Sequence, residues 1–457
     1  MNREKLTRRE FVGLAAAGAA TLSGCTIVPR HTVARSGQIP PSERINVATI
    51  GAGGMGGSDT LSTSRVPGVN IVALCDVDER RHTRPAFEAF PGVPRFKDYR
   101  RMLDRMGKDI DAVIVGTPDH THATVSIAAI ERGKHVYCEK PLAHSFREVR
   151  RMMEAAERHN VVTQMGNQGH SSESIRVFRE WIQDGAIGEV HTIHAGSTAL
   201  NSGLGKLDQV RSERPEVPRE LDWKLWQGPL KRRDYHPAFL PGSWRGWMPY
   251  GTGTIGDWTC HVIDPVFWAL DLGAPSSIVA EVKDYDFKTQ GLAHPRGDIV
   301  TFKFPAKGKR GAITVKWHSG TERVPRPPEL EADRKEVGTG AAVYGTKGTI
   351  VYGSHGAGGV RLIPETRMKA YQRPAKSIPR VAGHQADWIE AIRQGRKAGS
   401  DFSYGGPLTE IALLGVIAIK LAGTELAWDA RTMQFTNNRV ANQYLEPDYR
   451  FGWNFGL

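Results

Sequence analysis

A glycine-rich loop near the start of the chain constrains the fold more than any other segment. Residues 51–56 read Gly-Ala-Gly-Gly-Met-Gly and match the pattern G-x-G-x-x-G. The apolar run at residues 45–50 predicts a buried strand before the loop, and a helix is predicted directly after it. In this strand–loop–helix context, the pattern predicts a loop that holds a pyrophosphate against the amino end of the helix. A glycine turn without a ligand is the alternative interpretation.

Short apolar runs alternate with helical segments from this loop to about residue 168. Strands are predicted at residues 69–74, 112–116, 135–138 and 161–165. Helices are predicted at residues 99–106, 126–132 and 146–159. Strands that alternate with helices at this spacing form a mostly parallel sheet with right-handed crossovers. We therefore predict a Rossmann domain over residues 44–168.

The regular alternation of predicted strands and helices ends at about residue 168. A helix is predicted at residues 175–184, and a stretch rich in Trp and Pro follows at residues 222–275. Consecutive strands are then predicted at residues 277–282, 298–304, 312–317, 343–352 and 360–364, and helices at residues 384–395 and 408–421. Successive strands without helices between them predict a largely antiparallel sheet. The predicted fold class is α/β, with a C-terminal α/β domain (residues 169–457) that contains a large, mainly antiparallel open sheet.

An acidic residue at the end of the second predicted strand indicates which cofactor the loop would hold. Asp76 lies 20 residues after Gly56, where a carboxylate accepts hydrogen bonds from the hydroxyls of an adenosine ribose. The same carboxylate repels a 2′-phosphate, so the sequence favours NAD over NADP. Arg80 and Arg81 leave NADP open, because either guanidinium can pair with a 2′-phosphate.

Two further segments follow strands of the predicted parallel sheet, so we expect them at the edge where such sheets bind ligands. They are Gly-Thr-Pro-Asp-His-Thr-His at residues 116–122 and Tyr-Cys-Glu-Lys-Pro at residues 137–141. Lys140 is predicted to donate a hydrogen bond to a substrate hydroxyl or to exchange a proton with it. Partial burial and a cationic nicotinamide are expected to lower the pKa of Lys140. A surface ion pair of Glu139 and Lys140 is the alternative.

The three motifs together resemble those of the Gfo/Idh/MocA oxidoreductases, which include glucose–fructose oxidoreductase and inositol dehydrogenases. The resemblance covers essentially the whole chain after residue 43, including residues 166–168 and 384–429. It implies a Rossmann domain, a second domain whose open sheet supports homo-oligomer contacts, and a catalytic role for Lys140. The residues expected to contact the cofactor are Gly51, Gly53, Gly54, Met55, Gly56, Asp76, Thr117, Pro118, His122, Glu139, Lys140, Asn167 and Gln168.

The second catalytic motif of this family, Asp-x-x-x-His, matches Asp257 and His261. On a helix these positions share one face, so both side chains can point into one pocket. The resemblance implies that His261 takes the proton of a substrate hydroxyl as hydride leaves for the cofactor, while Asp257 orients His261 or binds the sugar. Alternatively, Asp257 caps the helix and His261 is an internal residue. No third ligand is evident, and we predict no metal site.

Tryptophan is concentrated between residues 223 and 268, which contain six of the eleven in the chain. Indole faces pack on the C–H faces of sugars, although we expect most of these side chains to pack in the core. Trp244, Arg245 and Trp247 are predicted to line a sugar pocket. Residues 201–250 depart most from the better-known family members, so the sequence leaves the identity of the sugar open.

The first 24 residues are predicted to be a targeting segment. Arg8 and Arg9 precede an apolar run of twelve residues, which is too short to span a membrane. This arrangement resembles a twin-arginine (Tat) signal, which directs folded proteins out of the bacterial cytoplasm.

Residues 22–25, Leu-Ser-Gly-Cys, resemble a lipoprotein box in which Cys25 becomes lipidated. Residues 25–43 are then predicted to form a lipidated tether. An ordinary signal with an incidental Cys25 is the alternative. We expect a periplasmic protein that contacts the envelope membrane only through a lipid on Cys25.

Charge and cysteine content exclude other classes of protein. The net charge is +12, but the charges are spread along the chain and no nucleic-acid-binding module is recognisable. We therefore predict no nucleic-acid partner. Cys75, Cys138 and Cys260 are an odd, sparse set that argues against a disulfide framework.

Three functions follow from the sequence. The favoured one is an exported oxidoreductase whose tightly bound nicotinamide cofactor exchanges hydride with a secondary hydroxyl or keto group of a sugar, polyol or glycoside. The second is an NAD-dependent glycosidase that oxidises the sugar transiently, eliminates the aglycone, adds water and reduces the product. The third is a sugar-binding lipoprotein without turnover. Export favours a cofactor that travels already bound, because the periplasm has no large pool of free NAD.

Overall fold

A computed structural model of the protein describes residues 43–451. The predicted signal segment, Cys25 and almost all of the predicted tether lie outside the described residues. From Ile45 onwards the chain belongs to one unit, in which two sheets are joined by helices.

The first sheet contains six strands within residues 43–451, in the order β3-β2-β1-β4-β5-β6. The strands are β1 (Ile45–Ile50), β2 (Val69–Cys75), β3 (Arg95–Phe96), β4 (Ala112–Val115), β5 (His135–Glu139) and β6 (Thr163–Gly166). All neighbouring strands pair in parallel. The predicted parallel Rossmann sheet is therefore confirmed.

Helices connect the strands of this sheet: α1 (Gly54–Ser64), α2 (Arg84–Ala89), α3 (Tyr99–Met106), α4 (Asp119–Ile130) and α5 (Phe146–Arg158). The apolar side chains of β4 are fully buried, as expected for a strand covered on both faces. Helix α4 begins at Asp119, seven residues before the predicted start at residue 126. Its first turns consist of polar and β-branched residues without a helical apolar pattern, yet they are all buried.

Nine strands form the second sheet in the described part of the chain, in the order β13-β12-β11-β7-β10-β9-β8-β14-β15. They are β7 (Val190–Ser197), β8 (Ser277–Glu281), β9 (Gly297–Phe304), β10 (Ile313–Gly320), β11 (Gly340–Gly345), β12 (Gly348–Gly353), β13 (Gly358–Ile363), β14 (Leu426–Asp429) and β15 (Gln434–Phe435). Strands β7 and β10 are parallel, and the other pairs are antiparallel. The predicted α/β fold class with a mainly antiparallel second sheet is confirmed.

Three details of the second sheet differ from the prediction. The short strands β14 and β15 at one edge of the sheet were not predicted. The single strand predicted at residues 343–352 is a hairpin of β11 and β12, in which Gly345 pairs with Gly348. Thr346 and Lys347 at its tip are weak turn formers, so the sequence carries no clear turn signal. Strand β7 was not predicted, because its two histidines and its glycine interrupt the apolar alternation.

The remaining helices are α6 (Glu173–Gln183), α7 (Leu207–Ser212), α8 (Trp223–Trp226), α9 (Gly253–Val262), α10 (Asp264–Leu270), α11 (Phe287–Gln290), α12 (Glu365–Ala370), α13 (His384–Gln394), α14 (Phe402–Lys420) and α15 (Arg439–Gln443). Helix α14 has the length and hydropathy of a membrane-spanning helix, but 83% of its most apolar stretch is buried inside the protein. It packs on α9, α5 and β8 and so forms the core between the two sheets. Helix α13 returns to the first sheet, where Trp388 and Ile389 pack with Tyr137.

Residues 201–250, here called the strap, cross the carboxyl edge of the first sheet. The strap has its own core of aromatic rings, which includes Trp223, Trp226 and Tyr250. Two backbone hydrogen bonds attach it to the segment after β2: Asp222 donates to the carbonyl of Val77 at 2.8 Å, and Glu79 donates to that of Glu220 at 3.2 Å. The strap is therefore fixed to the edge where Rossmann domains bind their ligands.

Candidate active site

A cavity of about 340 Å³ lies at the carboxyl ends of the parallel strands. The predicted site residues that line it are Gly51, Gly53, Gly54, Met55, Asp76, Thr117, Pro118, His122, Glu139, Lys140, Trp244 and Arg245. The structure thus brings the glycine loop, both strand-end segments and part of the strap together around one space.

The glycine loop has the geometry of a dinucleotide grip. Gly51 and Gly54 have φ angles of +85° and +55°, which favour glycine. A Cβ atom on Gly56 would lie 2.0 Å from the carbonyl oxygen of Gly51, so a side chain there would force the helix away from the loop. Helix α1 begins at Gly54 without a side-chain cap or an acidic residue in its first turn. Its free N–H groups therefore fit the phosphates of a dinucleotide.

Asp76 lies at the end of β2, beside the loop, as predicted. Its carboxylate accepts hydrogen bonds from the backbone N–H groups of Gly53, at 3.1 Å, and Asp78, at 2.9 Å. Burial raises the pKa of Asp76 to about 6. The guanidinium of Arg80 binds both carboxylate oxygens of Asp78, at 2.7 and 2.6 Å. Arg80 is thus already paired with Asp78. Of the two arginines, Arg81 is therefore the one that remains available to a 2′-phosphate.

Lys140 and Asp257 form an ion pair at the inner end of the cavity. The Lys140 ammonium donates to Asp257 Oδ1 at 2.7 Å, and Arg245 Nε donates to the same oxygen at 3.0 Å. The amide of Asn201 donates to the second oxygen at 3.0 Å. One carboxylate from α9 therefore binds a lysine from the first sheet and two residues from the strap.

The charges of this cluster determine its protonation. Burial alone lowers the pKa of Lys140, but the carboxylates of Asp257 and Glu139 outweigh it and raise the pKa above its ordinary value. Burial opposes ionisation of Asp257, yet Lys140 and Arg245 hold its pKa well below the usual range. The expected lowering by burial is therefore present, but the contact with Asp257, which the expectation did not include, outweighs it. The effect of a cationic nicotinamide on the pKa of Lys140 stays a prediction.

His261 lies on α9, one turn after Asp257, and is buried. Within residues 43–451, no protein group hydrogen-bonds to its Nδ1. Burial and the nearby charge of Lys140 lower the pKa of His261 well below its ordinary value. The ring is therefore neutral and has a free nitrogen. Among the described residues, Nδ1 therefore lacks the protein partner that the alternative of a satisfied internal histidine requires, and the helix cap is Thr252 rather than Asp257.

Glu139 points away from solvent into a polar cluster. Gln168 donates to Glu139 Oε1 at 2.8 Å and to Asp59 Oδ1 at 3.3 Å. Burial raises the pKa of Glu139 to about 8. Since Glu139 and Lys140 are both more than nine-tenths buried, a surface ion pair is excluded.

Six predicted residues are not among those that line the cavity. Asp257 and His261 lie on α9, and Asp257 is joined to the lining residues Lys140 and Arg245 by the contacts described above. Gly56 lies beneath the loop, and Gln168 belongs to the cluster around Glu139. Asn167 is fully buried and donates to Asp264 at 3.0 Å. Trp247 is 1% exposed and donates from its indole nitrogen to the carbonyl of Ala238 at 3.0 Å. The structure therefore gives Trp247 a packing role rather than the predicted sugar contact.

Three residues at the site were not singled out from the sequence. Asp119 lines the cavity and accepts a 2.7 Å hydrogen bond from the hydroxyl of Thr252, while burial raises the pKa of Asp119 to about 7. Asp119 belongs to the strand-end segment at residues 116–122, so the sequence did contain a signal for its place at the site. Asn201 and His355 reach the site from loops without a motif. Elsewhere, Cys75, Cys138 and Cys260 are free, buried thiols.

No group of three or more His, Cys, Asp and Glu side chains in residues 43–451 has the arrangement of a metal site. The cavity instead offers glycine N–H groups for phosphates, a carboxylate for a ribose and one ammonium at its inner end.

Two family models match the chain. The oxidoreductase family with an NAD-binding Rossmann fold, Gfo/Idh/MocA, matches residues 45–167, and its C-terminal α/β domain matches residues 173–303. A glycosyl hydrolase family 109 protein of Shewanella pealeana is 31% identical over 344 residues, which are 71% of each chain. The chain belongs to the Gfo/Idh/MocA oxidoreductase family. The domain built on its first sheet is accordingly an NAD-binding Rossmann domain.

Other relatives match this chain over shorter stretches. Levoglucosan dehydrogenase of Pseudarthrobacter phenanthrenivorans is 28% identical over 49% of this chain and 50% of that enzyme. Inositol 2-dehydrogenase of Rubrobacter xylanophilus is 35% identical over 32% of this chain and 42% of that enzyme. The chain thus spans about half the length of these dehydrogenases.

Solved structures share the fold. Levoglucosan dehydrogenase in complex with NADH and levoglucosan superposes with a TM-score of 0.55 and 20% identity, over 84% of this chain and 99% of that one. An aldose–aldose oxidoreductase from Caulobacter crescentus, complexed with glycerol, gives a TM-score of 0.55 and 16% identity over the same shares.

Proposed function

We propose that this chain is an exported oxidoreductase that uses tightly bound NAD to oxidise or reduce a secondary hydroxyl or keto group of a sugar, polyol or glycoside. The observation that carries the proposal is the buried ion pair of Asp257 with Lys140, which lines the same cavity as the glycine loop, together with the neutral His261 one helical turn after Asp257. The names of the levoglucosan and inositol dehydrogenases support the choice of a polyhydroxylated substrate.

The charges of the cluster divide the work among its residues. NAD, when bound, supplies the hydride acceptor or donor. Lys140 stays protonated at neutral pH because Asp257 stabilises its ammonium, so it donates a hydrogen bond to the substrate oxygen and stabilises negative charge there. His261 is neutral, and its free Nδ1 can accept the proton of a substrate hydroxyl. Asp257 remains ionised and holds Lys140 in position.

The strap supports tight retention of the cofactor. Trp226, Leu240 and Trp244 of the strap form one wall of the cavity, opposite the glycine loop. Backbone hydrogen bonds fix the strap beside Asp76, and Arg245 fixes it to Asp257 at the other end. A dinucleotide in the cavity would therefore be enclosed along its length, and its release would require the strap to move.

Mass spectrometry of the nucleotide released from purified, denatured protein tests the cofactor and its retention. We expect about one NAD(H) per chain without added cofactor. The holoprotein is then mixed with a panel of sugars and polyols, and a substrate should change the near-ultraviolet absorbance of the bound cofactor. Folded protein that carries no nucleotide and gains no thermal stability from added NAD would contradict the proposal.

An NAD-dependent glycosidase is the second candidate, and the long match to the glycosyl hydrolase family 109 protein favours it. Such an enzyme oxidises a sugar hydroxyl, eliminates the aglycone, adds water and then returns the hydride to the sugar. Aryl glycosides separate the two candidates. Release of the aglycone without net reduction of the cofactor supports the glycosidase, whereas a sugar-dependent absorbance change without aglycone release supports the dehydrogenase. Failure of both assays with a full panel would favour a sugar-binding lipoprotein.

The exported state is proposed from the sequence of residues 1–25. Arg8 and Arg9 resemble the pair of a Tat signal, and Cys25 lies in a lipoprotein box. Replacing both arginines with lysine should retain the protein in the cytoplasm. Replacing Cys25 with Ser should leave export intact but release the protein from the membrane fraction into the soluble periplasm. Membrane attachment of the Cys25→Ser variant would contradict a lipid anchor.

A further inference from the structure

His355 is the outer member of a stacked pair of histidines. Its ring lies on that of His261, with 4.2 Å between the ring centroids and 27° between the planes. Trp258 meets both rings edge-on, at 5.8 Å from His355 and 5.9 Å from His261. His355 is exposed, whereas His261 is 5% exposed. His355 therefore lies between the proposed proton acceptor and solvent.

The loop that carries His355 is held in an unfavourable backbone conformation. His355, Gly356 and Ala357 have φ angles of +56°, +78° and +61°, so three consecutive residues are left-handed and two of them carry a Cβ atom. Such conformations cost free energy for L-residues and persist only where surrounding contacts impose them. This loop is the turn between β12 and β13, and a relaxed turn there would leave the ring elsewhere.

Contacts from the segment after the first sheet impose this conformation. The hydroxyls of Ser172 and Ser174 both donate to the carbonyl of Gly356, at 3.0 and 2.8 Å. The backbone of the loop also packs directly on Gly169, where a Cβ atom would lie 2.1 Å from the carbonyl carbon of His355. These contacts hold the backbone at the carbonyls of His355 and Gly356, and so restrict where the ring of His355 can lie.

We infer that His355 is a positioning residue, which holds the ring of His261 by stacking and closes its solvent side. This inference rests on the proposed function, because it assigns the role through His261. His261 has no hydrogen-bond partner on Nδ1 among the described residues, so ring stacking with His355 and Trp258 is what restricts its rotation. A ring kept in one orientation costs less entropy when it accepts a proton from the substrate.

Substitutions at His355 test the inference. In the holoenzyme, His355→Ala should lower kcat by about 10- to 100-fold, as for other misplaced catalytic groups, with a smaller change in KM and no loss of bound nucleotide. His355→Phe keeps an aromatic face and should stay near the wild-type kcat. Ala357→Gly is the matched control, because it alters the same left-handed loop without touching the ring pair, and it should leave kcat unchanged. Equal losses for Ala and Phe would overturn positioning by stacking.

A second measurement does not depend on turnover. Nuclear magnetic resonance of isotope-labelled histidine reports the pKa of His261 in each variant. The groups that act on this pKa are His355, the Lys140 ammonium, the Asp257 carboxylate and His384. Both variants remove the repulsion by His355, which lowers the pKa of His261, but only His355→Ala also admits water to the ring. His355→Ala should therefore raise the pKa of His261 towards its ordinary value by more than His355→Phe does. If no sugar is turned over but the two variants differ in the pKa of His261, the proposed function fails while the positioning of His261 by His355 is supported. An unchanged pKa of His261 in His355→Ala overturns the inference.

Discussion

Two cations share one carboxylate at the centre of the site. Asp257 Oδ1 accepts from Lys140 and from Arg245, and Asn201 binds the other oxygen. Removing one partner from such a buried cluster leaves the other charges uncompensated. The excess of positive charge around one carboxylate suits a site where negative charge develops on a substrate oxygen, because Lys140 can share its hydrogen bonds with that oxygen.

Replacement of Lys140 should separate turnover from cofactor binding. Lys140→Ala removes the donor to the substrate oxygen but leaves the glycine loop and Asp76 intact. We expect kcat to fall by about 10²- to 10⁴-fold, with the nucleotide content unchanged by mass spectrometry. Lys303→Ala is the control, because Lys303 forms an equally short ion pair with Glu425, at 2.8 Å, on the surface. Unchanged turnover in Lys140→Ala would refute its catalytic role.

Asp298, on strand β9, predicts a pH-dependent stability. Burial raises the pKa of Asp298 to about 7, and the main favourable contact is a hydrogen bond with Ser319. Between pH 4 and 7 the native state therefore holds a proton that the unfolded chain has lost, so stability falls as pH rises through this range. Asp298→Asn lacks this proton linkage. Its free energy of unfolding relative to wild type should rise by at most about 4 kcal/mol from pH 4 to pH 8.

Urea unfolding at the two pH values measures this effect. Asp284→Asn, at an exposed position, controls for the loss of one negative charge. A difference between Asp298→Asn and wild type that stays constant across the pH range would show that Asp298 is ionised in the native state.

At the scale of elements, the sequence predicted what local patterns specify and missed what distant contacts specify. Five of the six described strands of the first sheet were predicted within a few residues, because each is an apolar run followed by a turn or a polar end. The two-residue strand β3 has no such run and was not predicted. Strand β7 was missed because the partner of its polar residue His194 is distant in sequence. His194 contacts His318 of β10, 124 residues away, and local sequence patterns do not show such a contact.

The same limit applies to the site. Lys140, Asp257 and Asp76 were predicted because they belong to motifs that keep their spacing along the chain. His355 and Asn201 come from loops that reach the site only through the second sheet and the strap. Trp244 and Trp247 are three residues apart and look equivalent in sequence. Packing alone places Trp244 in the cavity wall and Trp247 in the aromatic core of the strap.

The close approach of α1 to the first sheet depends on several glycines, of which Gly56 makes the tightest contact. A Cβ atom on Gly56 would lie 2.0 Å from the oxygen of Gly51 and 3.0 Å from Gly116, both backbone atoms that cannot turn aside. Gly56→Ala should therefore displace the helix, lower stability by about 1–3 kcal/mol and abolish nucleotide retention. Thermal unfolding and nucleotide analysis measure both effects. Gly92→Ala, where nothing lies within 4 Å, is the control, and a full nucleotide content in Gly56→Ala would refute this account of the loop.

At the scale of the whole molecule, the family resemblance predicts homo-oligomer contacts through the nine-stranded sheet, and we propose its outer face as the surface that makes them. On this face His194 and His318 stack at 5.3 Å, beside Tyr344. Part of this face is already covered by Leu330 and Val337, and the remainder can pair with the same face of a second copy across a twofold axis. Tyr344→Arg introduces a charge at this surface and should shift the mass measured by light scattering towards the monomer. An unchanged mass would direct attention to another surface.

The strap is attached to the segment after β2 and to Asp257 on α9, and this leads to a prediction about release of the proposed cofactor. Asp222 donates its backbone N–H to Val77 beside Asp76, and its side chain caps α8 by accepting from the N–H of Leu225. Asp222→Pro removes both contacts, whereas Asp222→Asn keeps the N–H and a capping side chain. If the strap retains NAD, the nucleotide should dissociate at least about tenfold faster from the proline variant, which corresponds to a dissociation barrier lower by about 1.4 kcal/mol. Gel filtration at intervals, with mass spectrometry of the nucleotide that stays bound, measures the rate. The asparagine variant should release it like wild type. Equal rates for the two folded variants would mean that the glycine loop alone holds the dinucleotide, and that the strap contributes only to the wall of the substrate site.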